Sequence, residues 1–299
     1  MPRHSYGWRK DKPDQRDFIY DPHLVDGIIK EEAVKSNPIS NFISWLVSLF
    51  RPASSTPSNP CGNVNQTVDL RSQDSPIVDQ GQLGSCTANA LAGALAFLEK
   101  KDSLPDQAFS RLFIYFNERA IENTVSSDSG AEIRDGIKTL ASQGACFETT
   151  WPYTISEFAV QPPAGAYSEA ANHEILQYFS ITNLCDMKAC LDAGFPFVFG
   201  ITVYDSFESS QVASSGVVPM PTAWETVLGG HAIMAIGYND DTQTFICRNS
   251  WGTGWGQTGY FTIPYAYLTN SNMASDFWTI RRGTNMVKEP IPTKGGGLG

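Results

Sequence analysis

The sequence predicts an α+β protein with two lobes: a helix-rich lobe over residues 61–167 and an antiparallel, β-rich lobe over residues 168–287. The Ala- and Leu-rich run 88–100 has the composition of a strong helix. The apolar run 232–238 predicts a buried strand, and a second apolar strand follows the turn at 239–241. With 299 residues, 41% of them apolar, the chain can bury a sizeable core.

The N-terminal region differs from the rest of the chain. Residues 1–66 carry eight Lys or Arg and seven Asp or Glu, a net charge of +1, which leaves −11 for the remainder. Such an imbalance fits a detachable piece, although solubility alone produces the same pattern. A helix is predicted near residues 25–34. The Pro- and Ser-rich stretch 52–60 is a low-complexity linker and a natural place for cleavage.

One apolar stretch, 42–50, lies within this region. Its nine residues are too few to cross a bilayer, which takes about 20, so no membrane span is predicted. The stretch either docks on the surface of the remaining chain or packs as a small helix.

A cysteine stands at the start of the first strong helix, which is predicted to begin near Ser85. In the first helical turn, the partial positive charge of the helix N-terminus favours the thiolate of Cys86. A partner histidine would lower its pKa further, to about 3.5–7.5. Gly81 and Gly84 would let another backbone approach the thiol closely. A structural helix that merely begins with cysteine would look the same, so other residues must decide.

Of the four histidines, His231 is the candidate partner for this cysteine, because the others, His4, His23 and His173, lie in polar or exposed stretches. His231 follows Gly229 and Gly230 and opens the predicted buried strand, where it can face a cleft. Asn249 comes at the end of the next strand, one hairpin away. Its side-chain amide could accept a hydrogen bond from one imidazole nitrogen and hold the other towards the thiolate.

These segments together resemble the papain-like cysteine peptidases, of the microbial or viral type with a short prosegment. The resemblance covers roughly residues 68–282 and keeps the family's order of Gln80, Cys86, His231 and Asn249. His231 follows Cys86 by 145 residues and Asn249 follows it by 163, against about 130–150 in the family pattern. The histidine fits this spacing, and the asparagine comes slightly late.

The resemblance implies roles for the residues around the cysteine. Gln80 and the backbone N–H of Cys86 would donate to the oxyanion of the tetrahedral intermediate. Trp251 would shield the hydrogen bond between Asn249 and His231, and core packing is the alternative for it. Substrate-binding positions are implied at Ser129, Gly130, Gly230 and Trp255, of which Trp255 would line the leaving-group side or simply pack in the core. Asp276 could admit basic side chains to a specificity pocket, although a surface acid is the preferred interpretation.

The chain also departs from the family pattern. Leu83 stands where many members have a disulfide-forming cysteine, and Thr87 replaces an aromatic residue. No two histidines are adjacent, which favours endopeptidase over carboxydipeptidase activity.

The predicted function is peptide hydrolysis through a thioester acyl-enzyme, in a zymogen whose residues 1–60 block Cys86. An acyltransferase or peptide ligase using the same acyl-enzyme, or a catalytically idle binding protein, remain the alternatives. Polypeptide substrates and the chain's own N-terminal segment, as an intramolecular inhibitor, are the predicted partners. No cofactor and no metal site are predicted. The net charge of −10 without a compact basic patch disfavours nucleic acid as a partner.

The remaining features concern location and cysteine pairing. The N-terminus lacks the apolar core of a secretory signal, which favours an intracellular protein or one delivered by a non-classical route. Residues 288–299 are predicted to be a disordered tail. Five cysteines besides Cys86 cannot all pair with one another: Cys185 and Cys190 are close enough in sequence to bridge, whereas Cys146 and Cys247 have apolar surroundings that suit buried free thiols.

Overall fold

The computed structural model describes residues 4–22, 61–62 and 64–281. The predicted helix at 25–34, the apolar stretch 42–50, the linker and the C-terminal tail lie outside these residues. Among the residues described, no helix has the length and the apolar character needed to cross a membrane.

The three longest α-helices of the described residues lie in the first half of the chain. The described α-helices are α1 (Cys86–Lys101), α2 (Arg111–Ile121), α3 (Ile133–Ser142), α4 (Ala164–Ala170), α5 (Leu184–Asp192), α6 (Ser210–Ser215) and α7 (Tyr265–Leu268). The predicted helix beginning near Ser85 is confirmed by α1.

The strands form one large antiparallel sheet and one small pair. They are β1 (Trp8–Arg9), β2 (Thr67–Asp69), β3 (Ala131–Glu132), β4 (Gln177–Ser180), β5 (Phe197–Tyr204), β6 (Val227–Asn239), β7 (Thr244–Arg248), β8 (Tyr260–Pro264) and β9 (Ala274–Arg281). The large sheet has the order β4-β9-β5-β6-β7-β8, with β2 also pairing with β6. Helices with a predominantly antiparallel sheet confirm the α+β class.

Helix α1 lies between the sheet and the other helices. It packs against β6 on one side and against α2 and α3 on the other. Its residues are buried from Cys86 to Glu99, which explains why Ala and Leu occupy more than half of these positions and are found on every face. The N-terminal end of a rigid, fully packed helix therefore holds the cysteine.

The hairpin of β6 and β7 carries the other two polar groups. Ala235 pairs with Cys247 in this hairpin, so Asn249, just beyond the end of β7, lies beside His231 in β6. The predicted hairpin is thus confirmed. The first of its strands is longer than the run 232–238 because it also pairs with β5 as far as Val227.

The N-terminal segment, defined here as residues 4–20, crosses both halves of the fold. Strand β1 pairs in parallel with β3. Further along, Ser180 donates its backbone N–H to Phe18 at 2.7 Å, and Tyr20 donates to Ser180 at 2.8 Å. Strand β2, within the range predicted as helix-rich, joins the large sheet instead. The proposed domain boundaries stay a prediction.

The cysteine pairing differs from the pair suggested by sequence proximity. Cys61 and Cys185 form a disulfide, with a Cα–Cα distance of 4.9 Å. Cys185 and Cys190 both lie on α5, where a separation of five residues turns their side chains about 140° apart. Cys146 and Cys247 are buried free thiols, as predicted.

Candidate active site

The Cys86 sulfur lies at the N-terminal end of α1, beneath the N-terminal segment. Backbone hydrogen bonds from Ala232, Gly7 and Thr87 reach the thiol, and its side chain has no exposed surface. Burial raises the pKa of the thiol to about 11. The predicted lowering of this pKa is therefore wrong for the covered state, because desolvation outweighs the helix N-terminus and the backbone donors.

His231 and Asn249 form the predicted hydrogen bond. Nε2 of His231 lies 2.8 Å from Oδ1 of Asn249, and an amide oxygen can only accept, so Nε2 carries a proton. Nδ1 of His231 has no hydrogen-bond partner among the described residues. Burial lowers the pKa of His231 to about 4, against the opposing effect of the Asn249 hydrogen bond. In the covered state the imidazole is therefore neutral at pH 7, with its Nδ1 lone pair available.

Trp251 covers this pair. Its ring is stacked on that of His231 at a centroid distance of 4.8 Å and an interplanar angle of 25°. Trp251 is almost completely buried. Its position against the imidazole favours the shielding role, and its extensive aromatic contacts also fit the packing alternative.

Gln80 is held in one orientation by hydrogen bonds at both ends of its side-chain amide. Oε1 accepts from Oγ of Ser250 at 2.6 Å, and Nε2 donates to the carbonyl oxygen of Leu83 at 2.9 Å. Nε2 also donates to the carbonyl oxygen of Ser5 at 3.2 Å. The amide that the sequence assigns to an oxyanion therefore donates to a backbone carbonyl of the N-terminal segment.

Three glycines allow the segment to approach the cysteine. Gly7 accepts a backbone hydrogen bond from Ala131 at 2.7 Å. A Cβ atom on Gly7 would overlap the carbonyl group of Gly84, and one on Gly130 would overlap the carbonyl group of Gly7. Gly130 also has a φ of 67°, a conformation that favours glycine. Close backbone approach was predicted at Gly81 and Gly84. The segment makes it at Gly84, where a Cβ atom would lie 3.4 Å from the carbonyl oxygen of Tyr6, whereas a Cβ atom on Gly81 would meet the side chain of Ile155.

A pocket beside the cysteine receives the Trp8 ring. A Cβ atom on Gly200 or Gly230 would overlap the ring, so both glycines make room for it. Nε1 of Trp8 donates to Oδ2 of Asp276 at 3.1 Å. The preferred interpretation of Asp276 as a surface acid is therefore wrong, because its carboxylate lies half-buried at the inner end of this pocket.

His4 is a site residue that the sequence interpretation set aside. Its ring lies parallel to that of Trp251, at 3.8 Å between centroids and 4° between planes. Nδ1 of His4 lies 3.1 Å from the Glu208 carboxylate, to which Tyr6 also donates a hydrogen bond. The available signal was the alternation of His4, Tyr6 and Trp8, three rings at every second position of an otherwise polar segment.

Two of the predicted substrate-binding residues have other contacts. Oγ of Ser129 donates to Thr124 and to the carbonyl of Gly130. The Trp255 ring stacks on Phe207 at a centroid distance of 5.7 Å and meets Trp251 edge-on at 5.1 Å. These contacts support core packing, the alternative role given for Trp255. Among the described residues, neither side chain makes a hydrogen bond or a ring contact with the N-terminal segment. The backbone of Ala131 pairs with the segment instead.

Thr87 has a polar partner in place of the packing of an aromatic ring. Its Oγ1 donates to Oε1 of Glu118 at 2.6 Å. Glu118 is fully buried, and burial raises its pKa to about 8. A mostly protonated carboxyl therefore lies beneath the nucleophile at pH 7.

A cluster of three carboxylates lies next to strand β3. The ligand atoms of Glu122, Glu132 and Asp135 lie within 4.8 Å of one another. Each has a cationic partner: Arg9, Lys12 and Lys138, respectively. These ion pairs account for the cluster, and it supports no metal assignment.

Comparisons with known proteins match this geometry to one family. Residues 64–279 match the sequence model of a family described as "Papain family cysteine protease". An uncharacterized peptidase C1-like protein of Acanthamoeba polyphaga mimivirus is 41% identical over 293 residues, which cover 95% of this chain and 88% of that protein.

Solved structures show the same likeness. Xylellain, a cysteine protease from Xylella fastidiosa, matches with a TM-score of 0.75 and 36% identity, over 95% of this chain and 99% of that one. Digestive procathepsin L 3 from the larval midgut of Tenebrio molitor matches in fold, with a TM-score of 0.60 and 21% identity, over 77% of this chain and 72% of that one.

Proposed function

Since the chain belongs to the papain family of cysteine proteases, we propose that it is an endopeptidase that acts through a thioester on Cys86 and is made latent by its N-terminal segment. The family assignment confirms the resemblance noted in the sequence, and with it a cysteine peptidase activity on polypeptides. The acyl-enzyme, the residue roles and the latency are the proposed parts.

One observation carries the proposal. The carbonyl oxygen of Ser5 accepts from the Gln80 amide, and a backbone hydrogen bond from Gly7 reaches the Cys86 sulfur. The ring of Tyr6, between them in the chain, lies 6.4 Å from that of His231. An extended polypeptide thus fits the groove, with its carbonyl groups within reach of the donors that peptide hydrolysis requires.

The chemistry follows from these positions once the groove is free. Nδ1 of His231 takes the thiol proton, and the Cys86 sulfur attacks the carbonyl carbon of the substrate. Gln80 and the backbone N–H of Cys86 donate to the oxyanion. The C–N bond breaks as His231 returns the proton to the leaving amine. A water molecule, deprotonated by His231, then hydrolyses the thioester and restores the thiol.

Asn249 and Trp251 support this proton transfer without touching the substrate. The Asn249 oxygen fixes Nε2 as the protonated nitrogen, so Nδ1 is the one that can accept the thiol proton. The stacked Trp251 ring excludes water that would compete for the same hydrogen bond.

The covering segment is bound in a way that does not favour its own cleavage. A backbone hydrogen bond from Gly7 reaches the Cys86 sulfur, so an N–H group faces it instead of a carbonyl carbon. Attack on a peptide bond needs the carbonyl carbon about 3–3.5 Å from the nucleophile. The segment therefore supports latency by occupying the groove in an unreactive arrangement.

The pocket that Trp8 fills is the proposed specificity pocket. Gly200 and Gly230 leave its walls open, and Asp276 supplies a carboxylate at its inner end. Once Trp8 leaves, that carboxylate loses its indole donor. A substrate side chain that donates hydrogen bonds, Lys or Arg above all, would replace it.

The decisive experiment measures hydrolysis of a fluorogenic peptide library by the intact chain and by chain cut within residues 52–60. We expect hydrolysis after the cut and separation of the N-terminal fragment, slow or no hydrolysis before it, and none in Cys86→Ala. An Asp276→Asn variant should lose preference for peptides with Lys or Arg. A cut chain that hydrolyses none of the library would contradict the proposal.

The same assay separates the alternatives. An acyltransferase or ligase would form a new amide when a peptide amine is added, which mass spectrometry detects. An idle binding protein would bind peptides without forming any thioester.

A further inference from the structure

Two carboxyl groups meet where the N-terminal segment passes the pocket of Trp8. The backbone N–H of Asp11 donates to Oδ2 of Asp276 at 2.8 Å, and the indole of Trp8 donates to the same oxygen. Nε1 of Trp278 donates to Oδ2 of Asp11 at 2.8 Å, and the backbone N–H of Arg134 donates to Oδ1 at 3.2 Å. Asp11 is only 8% exposed.

The cations near this pair do not neutralise it. The Arg134 guanidinium binds both oxygens of Asp17, at 2.5 and 3.1 Å, and also donates to the carbonyl of Lys12. Lys10 faces Asp276 from the segment. Among the described residues, neither Asp11 nor Asp276 makes an ion pair. Two ionised carboxylates in this position would therefore repel each other in a poorly solvated site.

This repulsion exists only while the segment is docked, because Asp11 belongs to the segment and Asp276 to strand β9. On release, both carboxyl groups return to water and separate. Given the proposed latency, we infer that Asp11 and Asp276 form a pH-dependent latch, which holds the segment in the groove at acidic pH and loosens as the pH rises to neutral.

Proton linkage gives the direction in which the affinity of the segment changes with pH. Burial and the neighbouring Asp276 raise the pKa of docked Asp11 to about 7, and burial also raises the pKa of Asp276. In the released segment, the pKa of Asp11 returns to its ordinary value of about 4. Below pH 4 Asp11 is protonated in both states, and above pH 7 it is ionised in both, so its contribution to the affinity is constant in either range. Between these values docking takes up a proton, and affinity falls by up to about tenfold per pH unit.

A second contact links the segment to the body of the fold: Nδ1 of His4 lies 3.1 Å from the Glu208 carboxylate. The experiment must therefore separate Asp11 from His4.

The test measures how tightly the N-terminal fragment binds at each pH, without using catalysis. A full-length chain with Cys86→Ala, His231→Gln and a specific protease site within residues 52–60 carries a fluorophore at its N-terminus. The His231→Gln change is needed because burial lowers the pKa of docked His231 to about 4, which makes docking release a proton and opposes the expected trend. After the cut, fluorescence anisotropy on dilution gives the dissociation constant of the fragment between pH 5.0 and 7.5. We expect this dissociation constant to rise at least tenfold from pH 5.0 to pH 7.5.

Asp11→Asn and Asp276→Asn should each reduce that rise to less than threefold. Asp14→Asn is the matched control, because this residue has the same chemistry in the same segment and pairs on the surface with Arg16. It should keep the full rise. An unchanged rise in both Asp11→Asn and Asp276→Asn, a parent affinity independent of pH, or loss of the rise in His4→Gln alone would each overturn the latch.

The readout also distinguishes this inference from the proposed function. Fragment that binds equally at every pH overturns the latch and leaves the latency standing. Fragment that binds at no pH overturns both the latch and the latency, whereas the peptidase activity is tested by the library alone.

Discussion

The carbonyl oxygen of Ser5 accepts a hydrogen bond from Nε2 of Gln80, at 3.2 Å. One side-chain amide thus binds the covering segment now and, in the proposed mechanism, the oxyanion later. Covering and catalysis therefore use the same donor, so a change at Gln80 acts on latency and turnover through one atom.

Removing that donor should mainly lower turnover. In the cut, dissociated protein, Gln80→Ala is expected to reduce kcat about 10²- to 10³-fold, because one oxyanion donor is lost. The exposed neighbour Gln82→Ala is the control, since its side chain has no contact with the segment among the described hydrogen bonds. Steady-state kinetics on one fluorogenic peptide measures both. A Gln80→Ala variant with unchanged kcat would exclude the oxyanion role.

Release of the segment should make Cys86 reactive. With a pKa of about 11, only about one in ten thousand covered thiols is ionised at pH 7. Once the segment leaves, solvent reaches the sulfur and His231 can form an ion pair with it. Iodoacetamide should therefore modify Cys86 at least about 100-fold faster after release.

The other free thiols provide the internal control for this measurement. Peptide mass spectrometry should find Cys146, Cys190 and Cys247 unmodified in both states, because all three are buried in the body of the fold. Equal rates at Cys86 before and after release would show that the segment does not protect it.

A single methyl group in the segment should abolish latency. A Cβ atom at Gly7 would overlap the Gly84 carbonyl, which precedes helix α1 and cannot move freely. We expect intact Gly7→Ala protein to hydrolyse peptides nearly as fast as the cut protein. Gln15→Ala, at an exposed position of the same segment, should stay latent. Intact Gly7→Ala that is as inactive as the parent would argue against this docking.

The disulfide should stabilise the fold without affecting catalysis. Cys61 and Cys185 are 124 residues apart, and closing so long a loop contributes about 2–4 kcal/mol in typical cases. The double variant Cys61→Ser, Cys185→Ser should lower the free energy of unfolding by that amount and leave kcat of the cut protein unchanged. Denaturant titration checks the first expectation, and an unchanged midpoint would contradict it.

The sequence predicted the elements whose signals are local. The composition of 88–100 predicted helix α1 with its start near Ser85, and alternating turn and apolar runs predicted the hairpin that brings His231 to Asn249. These features depend on neighbours along the chain, and the structure reproduces them.

The details of the groove depended on residues far apart in sequence. Asp276 was interpreted as a surface acid because nothing near it in sequence indicates a pocket, whereas Gly200, Gly230 and Trp8 create that pocket from three separate elements. The raised pKa of Cys86 was missed for the same reason, since it comes from a segment some 80 residues earlier that removes water from the thiol.

The sequence by itself thus determined which residue types were present and in what order: a cysteine at a helix start, a histidine on a buried strand, and an asparagine one hairpin later. The tertiary structure decided what surrounds them: the segment over the thiol, the pairing of Asp11 with Asp276, and the partner of Cys61. The physical reason is that propensity and periodicity act over a few residues, whereas desolvation and charge repulsion depend on distances in space that only the folded chain defines.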